Sequence, residues 1–191
     1  MQRDSERIYD EYLVACARAG DRAAWERLVA RWQPRLLRHA WRLSGHTERA
    51  ADLVQEAWID IWKGLRRLDD VVAFPAWAFR IVTRRCQRGF GTADRERAQW
   101  AALDDAVDNG DASAAADAIE HDIDAARIRA AMETLPAAQR AALSLFHLED
   151  LSVAEISIAL DVPPGTVKTR LMHARRKLRA HLEGAHDAQD P

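Results

Sequence analysis

The side chains best suited to chemistry are the basic ones of the last long segment. Between Gly165 and Leu182 there are six lysines or arginines and two histidines, but no acid. A solvated helix ordinarily interleaves acids with bases, because such pairs stabilise it, so a face of one sign predicts a polyanion as its partner. A basic surface that is merely solvated is the alternative. The basic residues are Lys168, Arg170, His173, Arg175, Arg176, Lys177, Arg179 and His181.

A helix-turn-helix is the element that we expect to position these side chains. Residues 152–155 (Ser-Val-Ala-Glu) have the pattern of a capping box, which starts a short helix that reaches about Leu160. The prolines at 163 and 164 break that helix, and a longer one is expected from about Gly165 to Leu182. An earlier helix is expected from Pro136 to about Leu148.

Three positions specify this motif. Ser157, Asp161 and Val167 occupy its small-residue, turn and packing positions. Alanine is commoner at the first and glycine at the second, although aspartate tolerates a left-handed backbone better than most residues. The early part of the longer helix should enter the major groove, and its later arginines, Arg179 included, should meet phosphates. The predicted DNA-binding residues are Thr166, Lys168, Thr169, Arg170, His173, Arg175 and Arg176.

Two further clusters lie in the N-terminal half. Asp52, Gln55 and Glu56 share one polar helix face, which on periodicity alone is more often solvated than used for binding. A basic cluster follows on the last helix of this half and suggests a second DNA-facing surface. The predicted DNA-binding residues here are the tryptophan that precedes the cluster and its four arginines, Trp77, Arg80, Arg84, Arg85 and Arg88.

The chain divides at an acidic stretch. Residues 101–126 hold eight acids and no lysine or arginine, in a background of alanine, glycine and serine. Low hydrophobicity and like charges cannot support a core, so a flexible linker is expected. We therefore predict two small helical domains, at residues 1–92 and 126–183, with a linker at 93–125 and a tail at 184–191.

Apolar residues of the N-terminal half recur at three and four positions, as in Leu53, Ala57, Ile61 and Leu65. This is the helical period, and it predicts about four helices and no sheet, with breaks near 44–46 and 68–70. The half also holds six of the seven tryptophans, most of which we assign to the core. The fold class is therefore all-α.

Composition excludes several classes of protein. No apolar run of the 191 residues approaches the roughly 18 that span a bilayer, and the first ten residues lack the apolar core of a secretory signal, so a cytoplasmic protein without membrane insertion is expected. Cys16 and Cys86 have no metal-binding spacing and are expected to be reduced thiols. The net charge of −2 does not argue against DNA binding, because the distribution of charge decides it.

An enzyme is a rival hypothesis that the motifs do not favour. The seven histidines form no His-x-x-x-His pair, and the chain has neither a nucleophile elbow nor a phosphate-binding glycine loop. We therefore expect no catalytic residues, no metal site and no cofactor.

Taken together, the motifs resemble one family. Their order and spacing are similar to those of extracytoplasmic-function sigma factors, the small two-domain sigma factors of bacterial RNA polymerase. The resemblance covers both halves of the chain outside the linker and the ends. It is carried by residues 51–62 (ADLVQEAWIDIW), 74–77 (FPAW), 80–81 (RI), 135–136 (LP), 139–140 (QR) and 162–171 (VPPGTVKTRL).

This resemblance implies a separate function for each domain. The first domain would open and read the minus-ten promoter element, and the second would read the minus-thirty-five element. Asp52, Gln55 and Glu56 would contact core RNA polymerase, and the acidic linker would run toward its active centre. Arg84 and Arg88 replace the family's usual asparagine and aspartate, so no minus-ten base is predicted. An anti-sigma factor is implied as a further partner.

Two other binding proteins remain as alternatives. A helix-turn-helix regulator that acts without polymerase would have a similar second domain, but it would need a ligand, dimerisation or phosphoacceptor domain in place of the first. An adaptor or anti-sigma protein that imitates one sigma surface would hardly need both basic clusters.

Overall fold

The structure, a computed structural model, describes residues 2–89 and 125–187, with side chains from residue 5 to 89 and from 128 to 182 apart from 129. Except for its last residue, the predicted linker at 93–125 lies outside the described residues, and so do residues 188–191 of the predicted tail. Within the described ranges all regular structure is helical, which confirms the all-α prediction. The elements are α1 (Gln2–Arg18), α2 (Arg22–Ser44), α3 (Thr47–Leu65), a 3-10 helix (Val71–Ala73), α4 (Phe74–Gly89), α5 (Ala125–Glu133), α6 (Ala137–His147), α7 (Val153–Leu160) and α8 (Pro164–Asp187).

Local capping explains where α2 begins and ends. The Asp21 carboxylate accepts hydrogen bonds from the backbone N–H groups of Ala23 and Ala24, at 2.8 and 3.1 Å, which satisfies donors that the first helical turn leaves open. Gly45 ends the helix with φ 73° and donates its N–H to the Trp41 carbonyl at 2.7 Å. This left-handed conformation favours glycine, which explains why the helix ends here. The helix break predicted near residues 44–46 is therefore confirmed.

The core of the first domain is built around Trp32, which is fully buried. Its ring meets those of Phe74 and Phe79 at centroid distances of 5.0 and 5.7 Å, so α2 and α4 are joined by aromatic packing. The prediction that most tryptophans are core residues is right for Trp32 and, in part, for Trp25, Trp58 and Trp77. Trp41 and Trp62 are the exceptions, at 37% and 51% exposed.

The same core holds a polar pair, His39 and Thr83. The Thr83 hydroxyl donates to the Phe79 carbonyl at 2.9 Å, so it must accept from His39 Nε2–H, also at 2.9 Å. His39 is 1% exposed and therefore neutral. Burial, with the nearby Arg42 guanidinium, lowers the pKa of His39 to about 3.

The second domain differs from the prediction at both ends. Helix α5 was not predicted, because its residues adjoin the acidic stretch and the next helix was expected at Pro136. It forms because its inner face can pack on α8, where Ala131 is fully buried. Helix α8 continues to Asp187, past the predicted end at Leu182 and into the segment predicted as a tail.

The two domains pack against each other. Helix α7 lies along α4, and α6 lies against α2. The buried residues of both domains form one continuous apolar cluster, to which α7 contributes Ile156 and Ala159, and α4 contributes Phe79 and Val82. The second domain is therefore seated on the face of the first that α2 and α4 form.

The buried His39 predicts a pH-dependent stability. Between pH 3 and about 6.5 the unfolded chain binds a proton at this residue that the folded chain does not. The free energy of unfolding should therefore fall as pH drops below about 6.5, by up to about 1.4 kcal/mol per pH unit from this group. Urea unfolding at several pH values should show a shallower decline for His39→Gln. The exposed His46→Gln is the matched control and should keep the native slope, and equal slopes for all three chains would contradict the prediction.

Candidate DNA-binding and polymerase-binding surfaces

The helix-turn-helix starts with the predicted capping box. The Ser152 backbone N–H donates to the Glu155 carboxylate at 2.8 Å, and the Glu155 N–H donates to the Ser152 hydroxyl at 3.3 Å. Each residue thereby satisfies a donor that the start of α7 would otherwise leave open. The motif inferred from the sequence is present in the structure.

The turn between α7 and α8 accommodates both unusual residues. Asp161 has φ 57° and ψ 46°, the left-handed conformation for which glycine is commoner. The Ser157 hydroxyl donates to the Val162 carbonyl at 2.6 Å across the turn, so this hydroxyl stabilises the site where alanine is usual. Val167 is fully buried and packs α8 onto the rest of the unit.

The predicted DNA-binding residues of α8 do not all lie on one accessible face. Lys168, Arg175 and Arg176 are exposed, while Thr166 and Thr169 are half-buried. Arg170 and His173, by contrast, are only 9% and 4% exposed. In this arrangement of the chain the early part of α8 is not fully open to a DNA groove.

The basic cluster on α4 separates into two parts. Arg80 and Arg84 point toward the second domain and donate to the Asp161 carboxylate, at 2.8 and 3.3 Å. Arg85 points the other way, toward α3, where it donates to Asp60 at 2.7 Å and to Glu56 at 2.6 Å. The hydrogen bonds to Asp60 are the main reason why the pKa of Arg85 lies above its ordinary value.

The remaining members of this cluster lie at its ends. Arg88 is exposed and donates to the Arg84 carbonyl at 3.3 Å. Trp77 is half-buried against α3, where a Cβ at Gly64 would come within 2.7 Å of its ring. Glycine at this position therefore permits the close approach of α3 and α4 beside the predicted DNA-binding surface.

The polar face of α3 is open. Asp52, Gln55 and Glu56 are all exposed, and Ile59 on the next turn is 51% exposed beside them. Because Ile59 lies four positions after Gln55, the two side chains are neighbours on the helix surface, and Ile59 adds an apolar side chain to the candidate surface. Sequence reasoning did not single out Ile59, although its spacing of four from Gln55 was a readable signal.

Sequence reasoning also missed two acids that face the first domain. Asp161 was read only as a turn residue, and Glu149 was not considered. The Glu149 side chain is 3% exposed and accepts from Arg35 at 2.6 Å, with Arg38 at 4.0 Å. No local sequence pattern identifies either residue, because both form ion pairs with arginines on helices of the other domain.

No group of three or more metal-binding side chains occurs in the residues that the structure describes. Cys16 and Cys86 are free thiols, and burial raises the pKa of the Cys86 thiol to about 12, so this side chain is unreactive at neutral pH. Within the same residues, no helix is both long and apolar enough to cross a membrane.

Both domains match known families. The family described as Sigma-70 region 2 matches residues 28–96, and the one described as Sigma-70, region 4 matches residues 125–178. These ranges overlap the two predicted domains and leave most of the acidic stretch between them.

Complete proteins with related sequences carry matching names. The chain is 34% identical to the ECF RNA polymerase sigma factor SigE of Mycolicibacterium smegmatis, over 85% of this chain and 64% of that protein's length. It is 31% identical to the ECF RNA polymerase sigma factor SigM of Mycobacterium tuberculosis, covering 88% of this chain and 82% of the relative. The ECF RNA polymerase sigma-E factor of Escherichia coli K12 is 28% identical, with 91% and 94% covered.

Two solved structures share the fold. CnrH, in a complex with the cytosolic domain of CnrY, superimposes with a TM-score of 0.60 at 24% identity over 92% of this chain and 98% of the other. The sigma factor RpoE, in a complex with the anti-sigma factor NepR from Bartonella quintana, superimposes with a TM-score of 0.58 at 24% identity, covering 83% and 96%.

Proposed function

Because the chain belongs to the extracytoplasmic-function family of RNA polymerase sigma factors, we propose that it binds core RNA polymerase and directs it to promoter DNA. The observation that carries this proposal is the pairing, in one chain, of a helix-turn-helix with a helix that presents an open polar face. A regulator that acts alone has no need of the second element, and no feature of the described residues favours that alternative.

Each surface then has one role. Asp52, Gln55 and Glu56 on α3 bind the polymerase, and the exposed Ile59 adds apolar area that association can bury. The predicted DNA-binding residues of α4 (Trp77, Arg80, Arg84, Arg85 and Arg88) meet the minus-ten region. Those of α8 (Thr166, Lys168, Thr169, Arg170, His173, Arg175 and Arg176) meet the minus-thirty-five region.

Polymerase binding precedes DNA binding in this scheme. The polymerase-binding face is exposed in the isolated chain, whereas Arg170 is 9% exposed and Arg80 is bound to Asp161. The net charge of −2 also gives the free chain little general attraction to DNA. The chain acts in the cytoplasm, where polymerase and promoters are found, and it works by binding rather than by catalysis.

An anti-sigma factor is a further expected partner. The RpoE structure with a similar fold contains such a protein, named NepR. A partner that holds the two domains together would cover both DNA-binding helices of this chain at once. Such a partner would prevent the chain from binding promoter DNA.

Run-off transcription tests the polymerase role. Purified core polymerase and a pool of genomic promoter fragments should give specific transcripts with the native chain and none with the triple variant Asp52→Ala, Gln55→Ala and Glu56→Ala. The double variant Arg22→Ala and Glu26→Ala removes an exposed ion pair from α2 and should transcribe like the native chain. Sequence-specific duplex binding by the native chain without any transcript would instead indicate an independent regulator.

Two arginines of α8 should respond differently in the polymerase complex. If Arg170 reads a guanine edge, Arg170→Ala should cost about 1–3 kcal/mol and relax specificity at one base pair. Arg175→Ala should weaken all promoters alike and reduce the salt dependence, d log K/d log [salt], by about one. Gel-shift titrations on promoters with single base-pair changes measure both effects. A uniform loss for Arg170→Ala would make it a phosphate contact.

A further inference from the structure

The contact between Asp161 and α4 joins two surfaces that the proposed function assigns to DNA. Asp161 belongs to the turn of the helix-turn-helix, whereas Arg80 and Arg84 belong to the predicted minus-ten cluster. Both guanidinium groups donate to the two carboxylate oxygens, Arg80 to Oδ1 at 2.8 Å and Arg84 to Oδ2 at 3.3 Å. Arginine binds phosphate with the same pair of N–H donors that it uses for a carboxylate. The Asp161 carboxylate therefore lies where a DNA phosphate could bind.

Other ion pairs across the domain boundary have the same polarity. Glu149, in the loop before α7, is nearly buried and accepts from Arg35 of α2 at 2.6 Å. The capping-box residue Glu155 accepts from Arg7 of α1, also at 2.6 Å. In all three places an acid of the second domain meets a base of the first. This complementarity favours one docked arrangement of the two domains.

Docking occupies part of one predicted DNA-binding surface. While α7 lies along α4, Asp161 engages two of the minus-ten arginines, Arg80 and Arg84. The polymerase-binding residues Asp52 and Gln55 remain exposed, because α3 lies away from the second domain.

We infer that this docked arrangement is an autoinhibited form of the chain, in which Asp161 occupies the anion-binding place of Arg80 and Arg84 and keeps DNA off α4. The inference rests on the proposed function, since it gives a regulatory meaning to the surfaces assigned there. Docking lowers the affinity of the free chain for DNA without blocking the face that binds polymerase.

The charge state of Asp161 suits this role. Partial burial opposes ionisation, but the hydrogen bonds from Arg80 and Arg84 outweigh it and hold the pKa of the carboxyl below its ordinary value. Asp161 is therefore an anion throughout the neutral range, as a phosphate diester is. The contact competes with DNA by charge at any pH at which the protein works.

The contact is also built to be released. The side chains of Arg80, Arg84 and Asp161 are 37%, 48% and 36% exposed, and ion pairs with this much solvent are individually weak. An open pocket of about 350 Å³ adjoins them and admits water and competing anions. Its lining residues are Arg80, Ser157, Ile158, Asp161, Val162 and Pro163.

Two substitutions at Asp161 test the inference. Asparagine and glycine both accept its left-handed backbone, so Asp161→Asn and Asp161→Gly remove the carboxylate without straining the turn. A fluorescent 30-base-pair duplex of mixed sequence should bind each variant about three- to tenfold more tightly than the native chain at low salt, the range expected from loss of weak ion pairs. Fluorescence anisotropy of the full-length chains measures the affinities.

Glu26→Gln is the matched control. It also removes one carboxylate from an exposed ion pair with an arginine, but its partner Arg22 lies on α2 outside both predicted DNA-binding clusters, so it changes net charge equally without undocking. Its DNA affinity should stay within about twofold of native, since a change in surface charge alone has a small effect. An equal gain in Glu26→Gln, or no gain in either Asp161 variant, would overturn the inference.

Polymerase binding separates this inference from the proposed function. All four chains should bind core RNA polymerase with equal affinity, because the α3 face is open whether or not the domains are docked. A native chain that fails to bind polymerase would contradict the proposed function. Unchanged DNA affinity in the Asp161 variants, with polymerase binding intact, would contradict only the autoinhibition.

Discussion

The docking of the two domains depends on ion pairs between acids of the second domain and arginines of the first. Glu149 is the strictest case, since a carboxylate that is 3% exposed must be paired, and its partners Arg35 and Arg38 lie on α2. Removing one partner of such a buried pair typically costs about 3–5 kcal/mol, because the remaining charge is left in the interior. Arg35 also contacts Asp10 of α1 at 3.2 Å, so the same guanidinium joins α1, α2 and the second domain.

The three proposed binding surfaces are in different states. The polar face of α3 is exposed, the arginines of α4 are divided between Asp161 and α3, and Arg170 and His173 of α8 are buried. Arg85 connects two of these surfaces, because it lies on α4 and donates to Glu56 on α3 at 2.6 Å.

Much of the architecture could be predicted from the sequence, because local rules govern it. The capping box at Ser152, the helix end at Gly45 and the helical period of α3 depend on residues within a few positions of one another. Helix α5 was missed because its neighbours carry like charges, and its stability comes from packing on α8 instead. The exposure of Trp62 was missed because helical spacing alone does not tell which tryptophans lie at the rim of the core.

The role of Asp161 could not be predicted, because its partners lie 77 and 81 positions away in the chain. The pairing of Glu149 with Arg35 could not be predicted for the same reason, because 114 positions separate the two residues. Sequence patterns and family resemblance predicted where the surfaces lie, but the engagement of Arg80 and Arg84 by Asp161 is a long-range ion pair that no local pattern encodes.

Small-angle X-ray scattering of the native chain and of the triple variant Glu149→Gln, Glu155→Gln and Asp161→Asn tests the central claim most directly. Substitution removes all three interdomain carboxylates, whereas salt would hardly screen the buried Glu149. The account predicts a compact native chain and a larger radius of gyration for the variant. A native chain with separated domains, or a variant with native dimensions, would contradict it.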